Sequence, residues 1–435
     1  MFVDEVWRTR ADGAIPTARY TTVEFARLEH ERLWSRVWQV AGREEEIPNP
    51  GDVLEYEIGL TSVLVVRDAD GGLRAMRNSC RHRGSKIVVG RVTGATCLQC
   101  PYHGWKYAID GTLTDVVDRE DFGDILPNGL ALGPVKVDTF GGFVFVNLDR
   151  RAEPLDAFLG PLCDLLAPYR LDAMRLRLAR TTVLPANWKA VIDAFNEGYH
   201  VQSLHSQILP WTDDTSLAYE QFETHARYGR LPGARRELRP SPRLELSDDE
   251  YDQGEILRGM IAGLGGAFLQ EERVVVDELL ADGPPAGITL LAAFQARRRE
   301  LMSARGFDVA TFADDELTSA QDAFWFPNLV GPIYPGSAIL FRVRPNGEDP
   351  HTAVNDTWVL EWPDSRREAR PPRVEYVPDW DAFEWDPVTR QDYDNLARVQ
   401  AGMRSGANEM LFTNPRQESN VVHMHRVIDR YLFDA

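Results

Sequence analysis

Two short motifs in the first quarter of the chain hold four metal-binding side chains at a spacing that few proteins share. Cys80 and His82 form a Cys-x-His pair, and Cys100 and His103 form a Cys-x-x-His pair after residues 83–99. Cysteine thiolates suit the ferric iron of a [2Fe–2S] cluster, and two neutral imidazoles on the second iron raise its reduction potential. The motifs therefore predict an iron–sulfur cluster, a fold that joins both segments around it, and a protein that transfers electrons.

A structural zinc site is the alternative for the same four side chains, because two cysteines and two histidines also satisfy tetrahedral zinc. The paired ligands of a zinc site are usually separated by about two to five residues. A single residue between Cys80 and His82 is unusual for zinc, so the cluster is the preferred interpretation. A visible absorption spectrum separates the two, since only the cluster is coloured.

The sequences around both pairs resemble the Rieske fingerprint. The first string is Asn-Ser-Cys-Arg-His-Arg-Gly over 78–84, and the second is Cys-Pro-Tyr-His-Gly-Trp over 100–105. The resemblance implies that four neighbouring residues shape or shield the cluster: Arg83, Gly84, Tyr102 and Trp105. For the two aromatic residues among them, packing in a core explains the sequence equally well.

The composition is that of a globular protein long enough for two domains, with 435 residues of which 43% are hydrophobic. A net charge of −19 argues against nucleic acid as a partner, because nucleic-acid binders gather Lys and Arg. The sequence has no apolar run of about 18 residues and no signal-peptide pattern, which predicts a cytoplasmic protein with no membrane partner. The remaining cysteines, Cys97 and Cys163, are expected to be packed thiols.

The pattern of apolar residues predicts an α+β chain in three parts: a helical segment over 1–45, a small all-β cluster domain over 46–152, and a larger domain over 153–435 with helices on an antiparallel sheet. The N-terminal segment is expected to pack on the larger domain. Strands are predicted at 53–58, 62–67, 73–77, 142–147, 323–329, 338–343 and 356–361, and helices at 20–45, 155–168, 187–204, 388–403 and 416–432. Residues 213–300 give no clear pattern.

The predicted helix over 187–204 carries a second group of possible metal ligands. Asp193, Glu197 and His200 follow at steps of four and three, which places them on one helix face. His205 lies about 140° away on an ideal helix. If both histidines bind one metal, the helix must end or bulge after His200. Two histidines and one carboxylate form the ligand set of a mononuclear Fe(II) that activates O₂.

This Glu-x-Tyr-His-x-x-x-x-His element resembles the catalytic signature of the Rieske non-haem iron oxygenases, the α subunits of aromatic ring-hydroxylating dioxygenases. The resemblance covers nearly the whole chain, including a Phe326-Pro-Asn328 strand, and implies a catalytic domain of helix-grip (START-like) fold. It places the third iron ligand about eight residues before Gln400-x-Gly402, at Asp392. Asp394 is the rival, and because the two point some 200° apart on a helix, only one reaches the iron.

The implied function is O₂-dependent hydroxylation, typically cis-dihydroxylation, of an aromatic or apolar small molecule at the mononuclear Fe(II). The alternative with the same metals is a monooxygenase or demethylase acting on a methoxy, N-methyl or alicyclic substrate. A non-catalytic electron carrier is the alternative from another class. Four residues are weak candidates for the substrate pocket, together with the apolar stretch 256–269: Phe195, Ile208, Leu209 and Trp211.

The resemblance also implies partners. No dinucleotide fingerprint is visible, so electrons come from NAD(P)H through a separate ferredoxin or flavin reductase. The family assembles as α3 trimers, or as α3β3 with a small β subunit, and a carboxylate links the two metal centres of neighbouring chains. By register that carboxylate is Glu197, between His200 and His103 of the next chain, with Asp193 supporting or competing with it. Tyr199 is expected to hold the active-site helix.

Overall fold

The computed structural model describes residues 6–231, 239–246, 252–263, 268–364 and 372–434. The chain divides into two compact units, one formed by residues 1–26 with 159–435 and the other by residues 27–158. The predicted limits at 45 and 152 differ from this division and stay predictions. Among the described residues, no helix is long and apolar enough to cross a membrane.

The unit over 27–158 is built on antiparallel β-structure, as predicted. Its larger sheet has seven strands, in the spatial order Gln39–Arg43, Phe143–Asn147, Pro134–Phe140, Leu73–Arg77, Thr61–Arg67, Val53–Ile58 and Arg91–Val92. A second sheet contains Leu98–Gln99, Lys106–Tyr107 and Leu113–Asp115. The strands Val53–Ile58 and Leu73–Arg77 have the predicted bounds, because flanking turns mark both in the sequence, and apolar and charged residues alternate over 54–58.

The predicted helix over 20–45 is wrong in its second half. An α-helix covers Val23–Glu29 and continues as a π-helical turn over His30–Trp34, but Gln39–Arg43 is a strand. All five residues of that strand are buried, and it pairs with Phe143–Asn147. Pairing with a strand distant in sequence therefore overrides the local helical spacing of the apolar residues.

The thiol prediction is also partly wrong. Cys97 is exposed rather than packed, whereas Cys163 is half-buried. Cys97 comes directly before Leu98–Gln99, where Leu98 points into the core. Because neighbouring residues of an extended segment point to opposite sides, Cys97 faces solvent.

The larger unit contains an eight-stranded sheet, and we number its strands in chain order: β1 Arg175–Leu184, β2 Ala218–Gln221, β3 Ala226–Gly229, β4 Gln321–Trp325, β5 Leu329–Tyr334, β6 Ser337–Asn346, β7 Asp349–Glu361 and β8 Arg373–Val377. The spatial order is β2-β3-β4-β5-β6-β7-β1-β8, antiparallel except for the last pair. The predicted Phe326-Pro-Asn328 strand is instead a turn between β4 and β5, closed by a bond from Asn328 N–H to the Trp325 carbonyl at 3.1 Å.

The helices of this unit are numbered likewise: α1 Trp188–Phe195, α2 Val201–Leu204, α3 Gln253–Gly263, α4 Gln270–Asp282, α5 Leu290–Ala304, α6 Pro387–Arg404 and α7 Ser419–Phe433. The predicted helix near 155–168 is two short helices, Leu155–Leu159 and Leu162–Leu166. Within the stretch 213–300 that the sequence left unassigned, the structure places β2, β3, the helices α3 and α4, and most of α5. The three helices form one apolar core with Trp211 and Tyr334. The mixed α+β class is confirmed.

The first described residues contribute to the larger unit. A two-stranded ribbon pairs Ile15–Pro16 with Met410–Leu411. The buried Arg19 guanidinium binds the carboxylate of Asp429 on α7 at 2.5 Å. These contacts tie the N-terminal segment to α7 and the end of the chain.

Candidate active site with two metal centres

The two Cys/His pairs lie in loops of similar construction. The N–H of Cys80 donates to the Ser85 carbonyl and that of Gly84 to the Cys80 carbonyl, both at 2.9 Å. In the second loop, the N–H of Cys100 donates to the Trp105 carbonyl and that of Gly104 to the Cys100 carbonyl. Both glycines have positive φ, +76° and +72°, which other residues adopt only with strain. The sequence thus folds two matching turns, each of which presents one cysteine and one histidine.

The structure brings the four predicted cluster ligands together. The Nδ1 atoms of His82 and His103 are 3.1 Å apart. Cys80 and Cys100 are buried, whereas both histidines are partly exposed. Burial disfavours the Cys100 thiolate, but the N–H groups of Tyr102 and His103 lower the pKa of that thiol overall. Two ionisable thiols and two imidazoles at one place are a donor set that fits a [2Fe–2S] cluster of mixed ligation.

The aromatic residues next to these ligands have different environments. Trp105 is buried and stacks on the His82 ring, with the ring centroids 4.9 Å apart. Tyr102 is exposed, and its ring centroid lies 3.7 Å from that of His103. The Arg83 guanidinium lies over the Tyr102 ring, 5.3 Å from its centroid. Trp105 therefore belongs to the core, whereas Tyr102 covers the partly exposed ring of His103.

The segment with the second ligand group is interrupted earlier than expected. Helix α1 ends at Phe195, and α2 begins only after His200, so the prediction of one helix face for Asp193, Glu197 and His200 is wrong. The Glu197 carboxylate is the physical cause. Its Oε2 accepts hydrogen bonds from the backbone N–H groups of Tyr199 and His200, which replaces helical bonding at this point.

The break brings both histidines to one place. One donor atom from each of His200, His205 and Asp392 can be chosen so that all three lie within 4.8 Å of one another. The His205 Nε2 lies 2.8 Å from the Asp392 Oδ1. Both rings are held through Nδ1, by the Glu197 Oε1 at 2.6 Å for His200 and by the Gln391 Oε1 at 2.8 Å for His205. These hydrogen bonds at Nδ1 fix the orientation of each ring and leave its Nε2 free to bind a metal. Two imidazoles and a carboxylate fit Fe(II).

The structure separates the two rival aspartates on α6. Asp392 is buried beside His205, whereas Asp394 forms an ion pair with Arg390 at 2.9 Å. Gln400, one of the residues used to set the register, accepts from the Asn187 N–H at 2.8 Å and donates to the Tyr20 carbonyl at 3.1 Å. These bonds fix α6 against the start of α1, which presents Asp392 to the histidines.

Asp193 lies away from the ligand group. Its Oδ2 accepts a hydrogen bond from the Tyr20 hydroxyl at 2.6 Å and lies 3.4 Å from the His425 Nε2. Within the described ranges, none of its hydrogen bonds reaches Glu197. The pKa of His425 is lowered by burial, which keeps this ring neutral. Asp193 therefore joins α1 to the N-terminal segment and α7. Tyr199 is exposed, and its expected role in holding the active-site helix stays a prediction.

A cavity of about 540 Å³ opens beside His200, His205 and Asp392. Of the predicted pocket residues, Phe195, Ile208 and Trp211 line it, but Leu209 does not. Leu209 is buried directly after the 3₁₀ turn Ser206–Ile208, and its side chain projects in another direction because successive residues of such a turn are rotated by about 120°.

The apolar stretch over 256–269 contributes to the cavity only in part. Met260, Ala262 and Gly263 line the cavity, whereas Ile256 and Leu257 pack into the helical core. Residues 264–267 of the predicted stretch lie outside the described residues. The prediction of a pocket role therefore applies to one end of α3.

Two site residues were missed by sequence reasoning. Gln391 holds His205, and its only signal was its place beside Asp392. Asp322, on β4, lines the cavity. Burial raises the pKa of Asp322 to about 7, and the nearby His200 and Tyr228 oppose this rise. A single aspartate in a strand carries no motif, so nothing in the sequence marked it.

Comparison with protein families agrees with this architecture. Residues 37–124 match the model of the Rieske [2Fe-2S] domain, and residues 171–260 and 292–433 match the ring hydroxylating alpha subunit (catalytic domain). The chain therefore belongs to the ring-hydroxylating α subunits of the Rieske oxygenases. It is an oxidoreductase, the terminal oxygenase component, with a [2Fe–2S] domain and a catalytic domain of the kind that binds mononuclear iron. The zinc and electron-carrier alternatives are thereby excluded.

Among individual proteins, the chain is similar to the glycine betaine monooxygenase oxygenase subunit of Chromohalobacter salexigens, with 28% identity over 93% of this chain and 82% of the relative. The carnitine monooxygenase oxygenase subunit of Escherichia coli K12 is 32% identical over 44% of this chain and 52% of the relative. Two solved structures share the fold. The quaternary ammonium Rieske monooxygenase CntA with L-carnitine has a TM-score of 0.67 and 16% identity over 98% of each chain. Naphthalene 1,2-dioxygenase from Rhodococcus sp. with indole has a TM-score of 0.62 and 20% identity over 97% of this chain and 95% of that chain.

Proposed function

We propose that Cys80, His82, Cys100 and His103 hold the Rieske cluster and that His200, His205 and Asp392 hold the catalytic iron. The observation that carries the second assignment is the convergence of three donor atoms within 4.8 Å on the wall of a cavity. Both histidines are oriented through Nδ1, as is usual for metal-bound imidazoles. The burial of the Cys80 and Cys100 thiols beside partly exposed histidines supports the first assignment.

The protein supplies the environment for the reaction. His200, His205 and Asp392 would hold the iron, which would supply the activation of O₂. Aromatic walls, with Phe195 stacked on Phe341 at 4.0 Å, reduce the access of water to the cavity. The Glu197 Oε1 accepts the Nδ1–H of His200, which orients the ring and leaves Nε2 free to bind the metal.

The electrons come from outside the chain. Reduction of O₂ with insertion of one oxygen atom consumes two electrons and two protons and releases water. We assign their supply to NAD(P)H through a ferredoxin or flavin reductase, which places the reaction in the cytoplasm. We further propose an α3 assembly, with or without a β subunit, because the structure of one relative, CntA, is described as showing inter-subunit electron transfer. Glu197 would then link His200 to His103 of the partner subunit.

For the substrate, we propose monooxygenation of an N-methyl compound, the alternative in the sequence interpretation. The relative matched over most of the chain is a glycine betaine monooxygenase subunit. Hydroxylation of an N-methyl carbon gives a carbinolamine, which releases formaldehyde. Cis-dihydroxylation of an aromatic compound is the second candidate, favoured by the apolar cavity walls and by 33% identity to benzene 1,2-dioxygenase subunit alpha of Pseudomonas putida over 43% of this chain.

Single-turnover assays test this function. The iron-loaded, dithionite-reduced protein is exposed to O₂ with N-methyl compounds and, separately, with aromatic hydrocarbons and acids, and the products are identified by mass spectrometry. Formaldehyde and a demethylated amine are the expected products. Formation of cis-diols would favour the second candidate, whereas an absence of oxygenated product with full iron loading would contradict both.

A further inference from the structure

Asp322 is a carboxylate within a largely apolar cavity. It lies on β4, directly opposite Tyr228 of β3 and Pro332 of β5, and all three residues line the cavity. Asp322 keeps a partly accessible surface, which faces this space. The iron-binding assignment proposed above does not use it.

No basic side chain forms an ion pair with Asp322 in the part of the chain that the structure describes. Four of the described arginines line the same cavity. Arg177 and Arg180 form ion pairs with Glu361 at 3.5 Å and with Glu375 at 2.6 Å. Arg230 donates to the Trp211 carbonyl at 2.8 Å, and Arg273 lies on α4. A carboxylate without a cationic partner in such surroundings is costly when ionised, and accordingly burial raises its pKa to about 7. A positively charged ligand would remove this cost.

Aromatic rings surround the same space. The aromatic side chains that line the cavity include Trp211, Tyr228, Tyr334 and Phe341. Tyr228 lies on β3 beside β4, and Trp211 and Tyr334 pack in one core with α3. Ring faces attract ammonium groups, and aromatic cages are the usual binding sites for methylated ammonium ions. The methyl groups contact the rings, while the charge requires an anionic group nearby.

We propose that Asp322, with the aromatic walls, binds the positively charged methylated nitrogen of the substrate and determines specificity for cationic over neutral molecules. The proposal rests on the cavity being the oxygenase site described above. It extends that function by naming the residue that selects the substrate class. Asp322 acts on the bound substrate and takes no part in holding the iron.

Paired ligands that differ only in charge test the proposal. Glycine betaine and 3,3-dimethylbutanoate share one shape, as do choline and 3,3-dimethylbutanol, because a tert-butyl group replaces trimethylammonium. Binding of each to the iron-loaded protein is measured by calorimetry. The wild type should bind the charged member at least tenfold more tightly. Asp322→Asn should reduce this preference to about twofold in both pairs and leave the binding of 3,3-dimethylbutanol, the uncharged ligand, unchanged.

The control variant is Asp386→Asn. Asp386 also lines the cavity, but it is exposed and its carboxylate caps α6 through the Thr389 N–H at 3.1 Å. Asparagine caps helices well, so this variant removes one charge and keeps the helix start. Its preference for the charged ligands should stay within twofold of that of the wild type.

Two results would overturn the proposal: a wild type that does not prefer the charged member of either pair, or a tenfold preference that persists in Asp322→Asn. Iron content and O₂ uptake are measured on the same samples. A wild type that binds no mononuclear iron contradicts the proposed function. An unchanged preference in fully iron-loaded Asp322→Asn contradicts only the role of Asp322.

Discussion

Replacement of Glu197 by glutamine is the most informative perturbation of the catalytic centre. The Glu197 Oε1 lies 2.6 Å from the His200 Nδ1, and Oε2 accepts from the His200 backbone N–H at 3.2 Å. Glutamine has nearly the same shape but only one acceptor oxygen. With that oxygen on the backbone N–H groups of Tyr199 and His200 the helix break should persist, and the His200 Nδ1 then loses its acceptor. The substitution also removes the negative charge that makes the bond to the imidazole strong.

The size of the effect follows from this contact. A hydrogen bond to a charged group contributes about 1.5–3 kcal/mol, and the loss of a carboxylate that supports a metal-bound histidine costs roughly 10–100-fold in metal affinity or activity. We therefore expect the Kd for the mononuclear iron to rise roughly 10–100-fold. Saturating iron should still fill the site, yet electron transfer from the cluster should largely stop.

Anaerobic titration with Fe(II) measures the affinity, and stopped-flow reoxidation of the reduced cluster measures electron transfer. The cluster absorbance is an internal control, since Glu197 lies outside its ligand loops. Glu220→Gln is the matched control, because this carboxylate is 40% exposed and bound to Arg227 at 2.7 Å. Wild-type affinity and a wild-type rate in Glu197→Gln would refute the reasoning.

Other consequences can be measured on single variants. Asp392→Asn should lose the mononuclear iron, whereas Asp394→Asn should keep it, and metal analysis of the pair decides the third ligand. Burial lowers the pKa of His423 from 6.5 to about 4, so the folded protein loses stability as pH falls below 6.5. Between pH 7 and 5 this group should lower the free energy of unfolding by about 2 kcal/mol. Urea unfolding of His423→Gln should not show this loss. Gly259→Ala would place Cβ 2.4 Å from the Trp211 ring and should lower the free energy of unfolding by about 1–3 kcal/mol. The Cβ of Gly402→Ala meets nothing within 4 Å, so this variant should raise the free energy of unfolding by about 0.5–1 kcal/mol. Both changes are measured as shifts in thermal unfolding.

Local patterns were sufficient for the parts of the fold that depend on neighbouring residues. Strands such as Val53–Ile58 alternate buried and exposed positions, so their bounds could be predicted. The strand Gln39–Arg43 was mistaken for helix because its partner lies about a hundred residues further on, at Phe143–Asn147. Helices α3 to α5 pack on Trp211 and Tyr334, contacts that no sequence window contains.

The same distinction between local motifs and contacts of distant segments applies to the residues of the site. The cluster motifs are compact in sequence, so the structure brings together all four residues that they mark. The separation of Asp392 from Asp394 required the helix and its neighbours. The contact of Gln391 with His205 and the place of Asp322 in the cavity wall arise from packing between distant segments, and only Gln391 had a sequence signal, its place beside Asp392.

Iron stoichiometry tests the central claim most directly, namely that one chain carries a Rieske cluster and a separate iron held by His200, His205 and Asp392. Metal analysis of the anaerobically reconstituted protein should give about three irons per chain, and His205→Ala should give about two with an unchanged visible spectrum. Two irons in the wild type, or three in the variant, would contradict the account.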